Sequence, residues 1–308
     1  MGFEQFTSSF IDANGIRIHA RLSAPQPDGK PVVILLHGYP QTSYMWHAVA
    51  PELAKKYFVI CPDLRGYGDS DKPEGDDTHA LYSKRSMAKD IVAVADALGI
   101  ATFALVGHDR GARVSHRLSL DHASRVERLC LIDIAPTLAM YEETNRAFAT
   151  AYFHWFFLIQ QKPLPETLLA QNMRSWVRSL FASFGRGSLA YYDPRALAEY
   201  ERCMDDPACI HSTCEDYRAS ATIDLDHDRD SESGGDKIAC PLLAVWGERS
   251  MVNKAFDAHA LWQSRSSLEI QTAAVASGHF IPDENPQGLM AVLEPFLAQS
   301  QGRSGPPP

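Results

Sequence analysis

Five short runs, apolar from end to end, constrain the fold of this chain more than any other feature. Val32-Val33-Ile34-Leu35-Leu36 ends at His37-Gly38, and Tyr57-Phe58-Val59-Ile60-Cys61 ends at Pro62-Asp63. Phe103-Ala104-Leu105-Val106 ends at Gly107, Leu129-Cys130-Leu131-Ile132 at Asp133, and Leu242-Leu243-Ala244-Val245-Trp246 at Gly247. A strand with one wet face alternates polar and apolar residues. A strand apolar on both faces must be covered on both, as in a parallel sheet between two helical layers. The intervening stretches carry helical spacing: Ser86 to Leu98 sets Met87, Ile91, Val94, Ala95 and Leu98 on one face. This alternation predicts an α/β fold with a mostly parallel, doubly wound sheet. Ligands of such sheets bind beyond the carboxyl ends of the strands, so the residues that close the runs are the ones to inspect.

Between the fourth and fifth runs the pattern changes. From residue 138 to 233 no run reads as a strand, and aromatic and charged residues recur at helical spacing, as in Tyr152 to Ile159 and Asp193 to Met204. We expect a helical cap over 138–233, inserted into a core formed by 1–137 and 234–300. The acidic stretch Asp226 to Asp236, with Gly234-Gly235, reads as an exposed loop, and the Gly/Pro-rich tail 301–308 as disordered.

With 308 residues the chain can bury a large core. Its net charge of −9 argues against a broad nucleic-acid or anionic-membrane surface, yet allows a local cationic pocket. The opening residues Met1 to Phe6 read as neither a secretion nor a myristoylation signal, and no apolar run is long enough to be expected to span a membrane. The six cysteines contain no C-x-x-C pair, and a cytoplasmic protein with reduced, structural thiols is expected.

Gly107-His108-Asp109-Arg110-Gly111 follows a strand-like run and precedes a helix-like one, Ala112 to Leu120. This is the nucleophile-elbow frame G-x-Nuc-x-G, in which small flanking residues permit a sharp turn. The nucleophile position holds Asp109, and no G-x-S-x-G occurs elsewhere. A carboxylate attacking an acyl carbon would give an anhydride. One attacking a saturated carbon expels a leaving group and gives an ordinary ester, which activated water can hydrolyse.

In elbow-bearing sheets the order along the chain is nucleophile, acid, histidine. His279, in Ser277-Gly278-His279-Phe280 after the run Leu268 to Val275, fits the base. The acid has two possible places. One is Asp133, at the end of a strand that has no packing use for a charge. The other is the loop Trp246-Gly247-Glu248-Arg249-Ser250, where Ser250 holds the usual acidic position and Glu248 is the fallback. We assign Asp133 to orient His279. The turn His37-Gly38-Tyr39-Pro40 resembles an H-G-x-P oxyanion turn, so the N–H groups of Tyr39 and Arg110 are expected to hold the oxyanion, with the His37 side chain packing the turn. Arg110 and Arg113 flank the nucleophile. Guanidinium groups there suit capture of a substrate carboxylate better than a purely structural ion pair.

The elbow GHDRGAR, the turn HGYP, the loop PDLRGYGDSD from Pro62 to Asp71, Phe153-His154-Trp155-Phe156-Phe157 and Cys214-Glu215-Asp216-Tyr217-Arg218 together resemble the fluoroacetate dehalogenases. These belong to the haloalkane dehalogenase and epoxide hydrolase branch of the α/β-hydrolase fold. The resemblance covers most of the chain. GHDRGAR with the His-Trp pair is its specific part, and Ser250 in place of an acid is shared with that family. It implies the triad Asp109, Asp133 and His279, the carboxylate clamp Arg110 and Arg113, and a halide pocket of His154, Trp155 and Tyr217. It also implies a small anionic haloacid as substrate, hydrolysis without cofactor or metal, and a homodimer. An epoxide hydrolase would use the same Asp and His, with Tyr217 and one of Tyr141, Tyr152, Tyr191 or Tyr192 donating to the epoxide; Arg110 argues against it. A haloalkane dehalogenase would want an apolar pocket, and a non-catalytic ligand receptor a damaged triad.

Overall fold

The computed structural model describes residues 2–299; the tail 301–308 lies outside the described residues. Eight strands form one sheet in the order β1-β2-β4-β3-β5-β6-β7-β8: β1 Thr7–Ala13, β2 Ile16–Leu22, β3 Val32–Leu36, β4 Phe58–Pro62, β5 Phe103–His108, β6 Val126–Ile132, β7 Leu242–Gly247 and β8 Gln271–Val275. The pairings from β4 through β8 are all parallel. β3, β4, β5 and β6 are buried along nearly their whole length, as runs apolar on both faces require.

The two antiparallel strands β1 and β2, and the largely exposed edge strand β8, add to the five strands that the continuous apolar runs predict. β1 and β2 form a hairpin about Asn14-Gly15, both at positive φ, the dipeptide suited to a tight two-residue hairpin turn. β1 alternates exposed and buried positions, so it lacks the continuous apolar run that marks the central strands.

β3 lies between β4 and β5, so the chain leaves it in opposite directions and opens a crevice at their carboxyl ends. The turn His37-Gly38-Tyr39 follows β3 and Asp109 follows β5, which brings both to that crevice.

Between β6 and β7 the described residues hold eight α-helices, from Thr137–Glu142 to Ile223–Gly234, and no strand. They form the cap of an α/β-hydrolase fold. The acidic stretch expected as a loop is instead the last of these helices, with Gly235 as its left-handed cap at φ +73°. Its inward acids pair with basic groups of the core rather than with apolar ones. Asp224 lies 3.5 Å from the Lys84 ammonium and accepts the Lys84 backbone N–H at 2.8 Å, and Arg117 donates to Asp228 at 3.1 Å and to the Ser231 hydroxyl at 3.0 Å. Hydrophobic periodicity cannot register such a face. All six cysteines are buried free thiols, and no helix among the described residues is long and apolar enough to cross a membrane.

Candidate active site

The elbow is tight for reasons the flanking residues supply. A Cβ on Gly107 would meet Gly111 O and Ser115 Oγ, each at 2.5 Å, and one on Gly111 would meet Leu36 O at 2.6 Å and His37 O closer still. Asp109 at its tip has φ +46° and ψ −113°, a strained conformation for a residue with a side chain. The helix Arg110–Asp121 starts immediately after it. The strain holds the buried carboxylate at the crevice, where Tyr39 N–H donates to Asp109 Oδ2 at 3.0 Å. Gly38 lets that turn approach: a Cβ there would lie 2.6 Å from the Asp109 Cβ.

His279 follows β8 and Asp133 follows β6. Residues 146 positions apart thus meet, with His279 Nδ1 2.6 Å from Asp133 Oδ2. The other carboxylate oxygen of Asp133 accepts Gly247 N–H at 3.0 Å, so the acid is fixed at both ends. Glu248 is exposed, and Ser250 caps the helix Met251–Ala255 by accepting Asn253 N–H. Of the two places left open for the acid, Asp133 is the one in contact with His279. With Nδ1 engaged, Nε2 is the nitrogen left to take a proton. His37 packs its turn as expected: it is fully buried, its Nδ1 on Gly38 O at 3.0 Å and its Nε2 accepting Leu64 N–H at 2.9 Å.

The charges of the site answer one another. Burial alone would raise the Asp109 pKa, but His279, Arg110, His108 and Arg113 outweigh it and hold the carboxyl below its ordinary range. Burial would lower the His279 pKa, but the Asp133 hydrogen bond and charge, then the Asp109 charge, raise it instead. His154 has no such partner, and burial takes it down to about 3, leaving a neutral imidazole.

The two arginines differ. Arg110 is fully buried and forms a two-pronged ion pair with Asp216, Nε to Oδ2 at 2.9 Å and Nη2 to Oδ1 at 2.8 Å, so a structural pair accounts for much of it. Tyr67 donates to the same carboxylate at 2.7 Å, and Lys84 also pairs with it. Arg110 keeps one buried group free, Nη1. Arg113 donates to Thr137 Oγ1 at 2.8 Å and Ala135 O at 3.3 Å, and no carboxylate pairs with it among the described residues. Its Nε is buried without a partner, and its guanidinium lies over the Trp155 ring, 4.7 Å from the centroid.

The cap supplies the rest of the lining. His154 and Trp155 come from the helix Phe153–Leu158 and Tyr217 from Pro207–Ala221. All three are buried together: the His154 and Tyr217 rings are 5.8 Å apart, Trp155 and Tyr217 6.4 Å, and Tyr39 lies 5.5 Å from Tyr217. The Asp109 charge raises the Tyr217 pKa further after burial has raised it. His154 Nδ1 and the Tyr141 hydroxyl are buried without partners, and the Tyr141 ring packs 5.1 Å from Trp155.

An opening of about 110 Å³ reaches His279 between Tyr152, Phe184, Arg249 and Lys254. A larger groove, about 500 Å³, lies away from these residues, along Glu74 to His79 and the cap residues Lys162, His211 and Arg218. A His19-Asp63-Asp69 group also lies off the site. Asp63 there accepts from His19 at 2.7 Å, from Ser43 N–H at 2.7 Å and from Asp69 N–H at 3.0 Å, which makes it the hub of the loop after β4 rather than an open metal centre.

Sequence reasoning assigned no role to Asp216, which neutralises and holds Arg110, or to Lys84, which pairs with the same carboxylate. The available signal was a lone Asp directly before Tyr217 on a helix that is buried along most of its length.

Residues 31–286 match the α/β-hydrolase fold family. The chain is 39% identical to a fluoroacetate dehalogenase from Burkholderia sp, over 98% of this chain and 97% of that protein. It is 31% identical to a soluble epoxide hydrolase from Corynebacterium sp. (strain C12), over 92% and 95%. A crystal structure of an α/β-hydrolase-type protein from Nostoc sp PCC 7120 superposes with a TM-score of 0.92 at 46% identity, covering 97% of this chain and all of that one.

Proposed function

This chain belongs to the α/β-hydrolase fold family, and we propose that it hydrolyses the carbon–halogen bond of a small 2-haloacid, converting fluoroacetate and water to glycolate and fluoride. The observation that carries this reading is Arg113. It is a buried guanidinium with no acid partner among the described residues, beside a free Nη1 of Arg110 and next to a carboxylate at a nucleophile elbow. A buried cation with no carboxylate paired to it is costly, and a substrate carboxylate supplies that pair. A neutral epoxide or haloalkane does not.

In this reading Arg110 Nη1 and Arg113 Nε grip the carboxylate and present the halogen-bearing carbon to Asp109. Oδ2 is held by Tyr39 N–H, so Oδ1 attacks. The new C–O bond forms as the C–F bond breaks, and fluoride leaves toward donors on His154, Trp155 and Tyr217. Fluoride is a poor leaving group whose small size concentrates its charge, so several donors where that charge develops lower the barrier. A neutral His154 still has one N–H to give.

His279 Nε2 then takes a proton from water, whose oxygen attacks the Asp109 carbonyl carbon. The oxyanion forms on the oxygen already held by Tyr39 N–H, with Arg110 N–H the second donor. Collapse expels the glycolate alkoxide, which takes the proton held by His279, and Asp109, regenerated as the acid, loses its proton to solvent and returns to the carboxylate. Loss of the Asp109 charge on esterification removes one of the effects that raise the His279 pKa, so the base becomes easier to deprotonate when it is needed. The reaction takes water alone as co-substrate.

The test is fluoride release from fluoroacetate, without added cofactor, by the wild type and by Asp109→Asn. Release by the wild type alone supports the reading; no release from the wild type sinks it. Epoxide hydrolysis is the second reading, favoured by the buried Tyr217 phenol and by the Tyr141 hydroxyl, which is buried without a partner. Turnover of styrene oxide without fluoride release would select it.

A further inference from the structure

His279 sits between β8 and the single helical turn Ile281–Glu284, in a loop with no regular backbone pairing. The backbone on either side of it is nonetheless held. Glu284, itself buried, accepts Gly278 N–H on Oε2 at 2.8 Å and Phe280 N–H on Oε1 at 3.0 Å. One carboxylate thus grips the residues immediately before and after the base. His279 N–H donates to Phe184 O of the cap at 2.8 Å, and His108 Nε2 lies 2.9 Å from His279 O. The cap packs closely against the same loop, since a Cβ on Gly278 would lie 2.6 Å from the Gly185 backbone.

We propose that Glu284 is a positioning residue for the hydrolytic step, setting the place of the His279 backbone while Asp133 sets the tautomer and rotation of its ring. The inference rests on the ester mechanism above. Both Glu284 oxygens are acceptors and both are used. Glutamine at this position offers one acceptor and turns an NH2 group toward the other backbone N–H, leaving a buried donor unmet. Aspartate is one methylene shorter and spans at most one of the two. In either variant the loop shifts and carries the imidazole with it, and a displacement of about 1 Å at a catalytic group can cost on the order of a hundredfold. Alkylation of Asp109 does not use His279, so the loss falls on the second step.

The experiment measures fluoride release from fluoroacetate by rapid mixing and in the steady state, for the wild type, Glu284→Gln and Glu284→Asp, with the mass of the Asp109 peptide followed in parallel. His279→Asn serves as the trap that shows the ester. The expected result is a first-turnover release rate within about threefold of the wild type, a steady-state rate lower by roughly tenfold to a hundredfold, and ester accumulating on Asp109. Burst amplitude counts active sites, so a partly folded preparation does not disturb the ratio of the two rates. Equal slowing of both steps, or of neither, overturns the role of Glu284 while leaving the nucleophile in place. Absence of any Asp109 ester in the His279→Asn trap overturns the ester reading, and the role of Glu284 with it.

Discussion

Arg110 and Arg113 lie three residues apart on one helix, and replacing each by Met should move stability in opposite directions. Arg113 has no acid partner among the described residues, and burial together with the Arg110 charge lowers its pKa. Arg113→Met loses three hydrogen bonds, to Thr137, Ala135 and the Met140 sulfur, the two to oxygen worth about 1 kcal/mol each. It also relieves the desolvation of a buried cation, an effective cost of several kcal/mol. The folded protein should therefore be as stable as the wild type or more so. Arg110→Met instead strips the bidentate partner from Asp216, which is wholly buried, and leaves that carboxylate with Lys84 and Tyr67. Breaking a buried pair from one side costs about 3–5 kcal/mol. Activity should fall in both. Losing one charge-assisted contact to the substrate carboxylate, about 1.5–3 kcal/mol, lowers kcat/KM for fluoroacetate by roughly tenfold to a hundredfold. The assays are urea unfolding followed by tryptophan fluorescence, and fluoride release against substrate concentration. An Arg113→Met protein destabilised by several kcal/mol, or one with unchanged kcat/KM, would refute the view of Arg113 as a buried cation kept for an anionic substrate.

His279→Asn should release about one fluoride per active site and then stop, with an ester on Asp109 visible by mass spectrometry; continued turnover would remove His279 from the base role. The raised pKa of His279 sets a pH window: steady-state turnover should decline as pH falls and His279 stays protonated, while the single-turnover burst persists, because Asp109 remains ionised below its ordinary range. A burst and a steady-state rate that decline together would contradict that separation. For stability the sign is the reverse: the His279–Asp133 contact contributes fully below the ordinary histidine pKa of 6.5 and is lost as pH rises through the raised folded value, so His279→Asn should narrow the stability difference between mildly acidic and alkaline buffer. Gly111→Ala pushes a methyl group against Leu36 O at 2.6 Å and should cost about 1–3 kcal/mol and most of the activity; a stable, active variant would show that the elbow has more room than its geometry allows.

The central strands and the elbow were legible because each is a local pattern. An apolar run bounded by glycine, or a nucleophile between two small residues, is complete within a few positions. The hairpin β1-β2 was less legible because its outer strand is half wet, and the helix Ile223–Gly234 because its inward face is acidic and matches Arg117 and Lys84 of the core instead of an apolar surface. The buried cluster of His154, Trp155 and Tyr217, which we propose as the halide pocket, was marked by family resemblance alone, since a His-Trp pair on a helix is otherwise ordinary core.

By itself, then, the sequence determined that the sheet is mostly parallel, that a carboxylate occupies the elbow and that a histidine follows the last strand. The tertiary structure decided which acid meets that histidine, choosing Asp133 over Glu248 across 146 positions. It decided that Arg110 is largely spent on Asp216, 106 positions away, whereas Arg113 keeps no acid partner among the described residues. It also brought Glu284 under the two residues that flank the base. The physical reason is common to all three: whether a buried charge is paired or free depends on which distant strand end or helix is folded against it, and spacing along the chain carries no record of that.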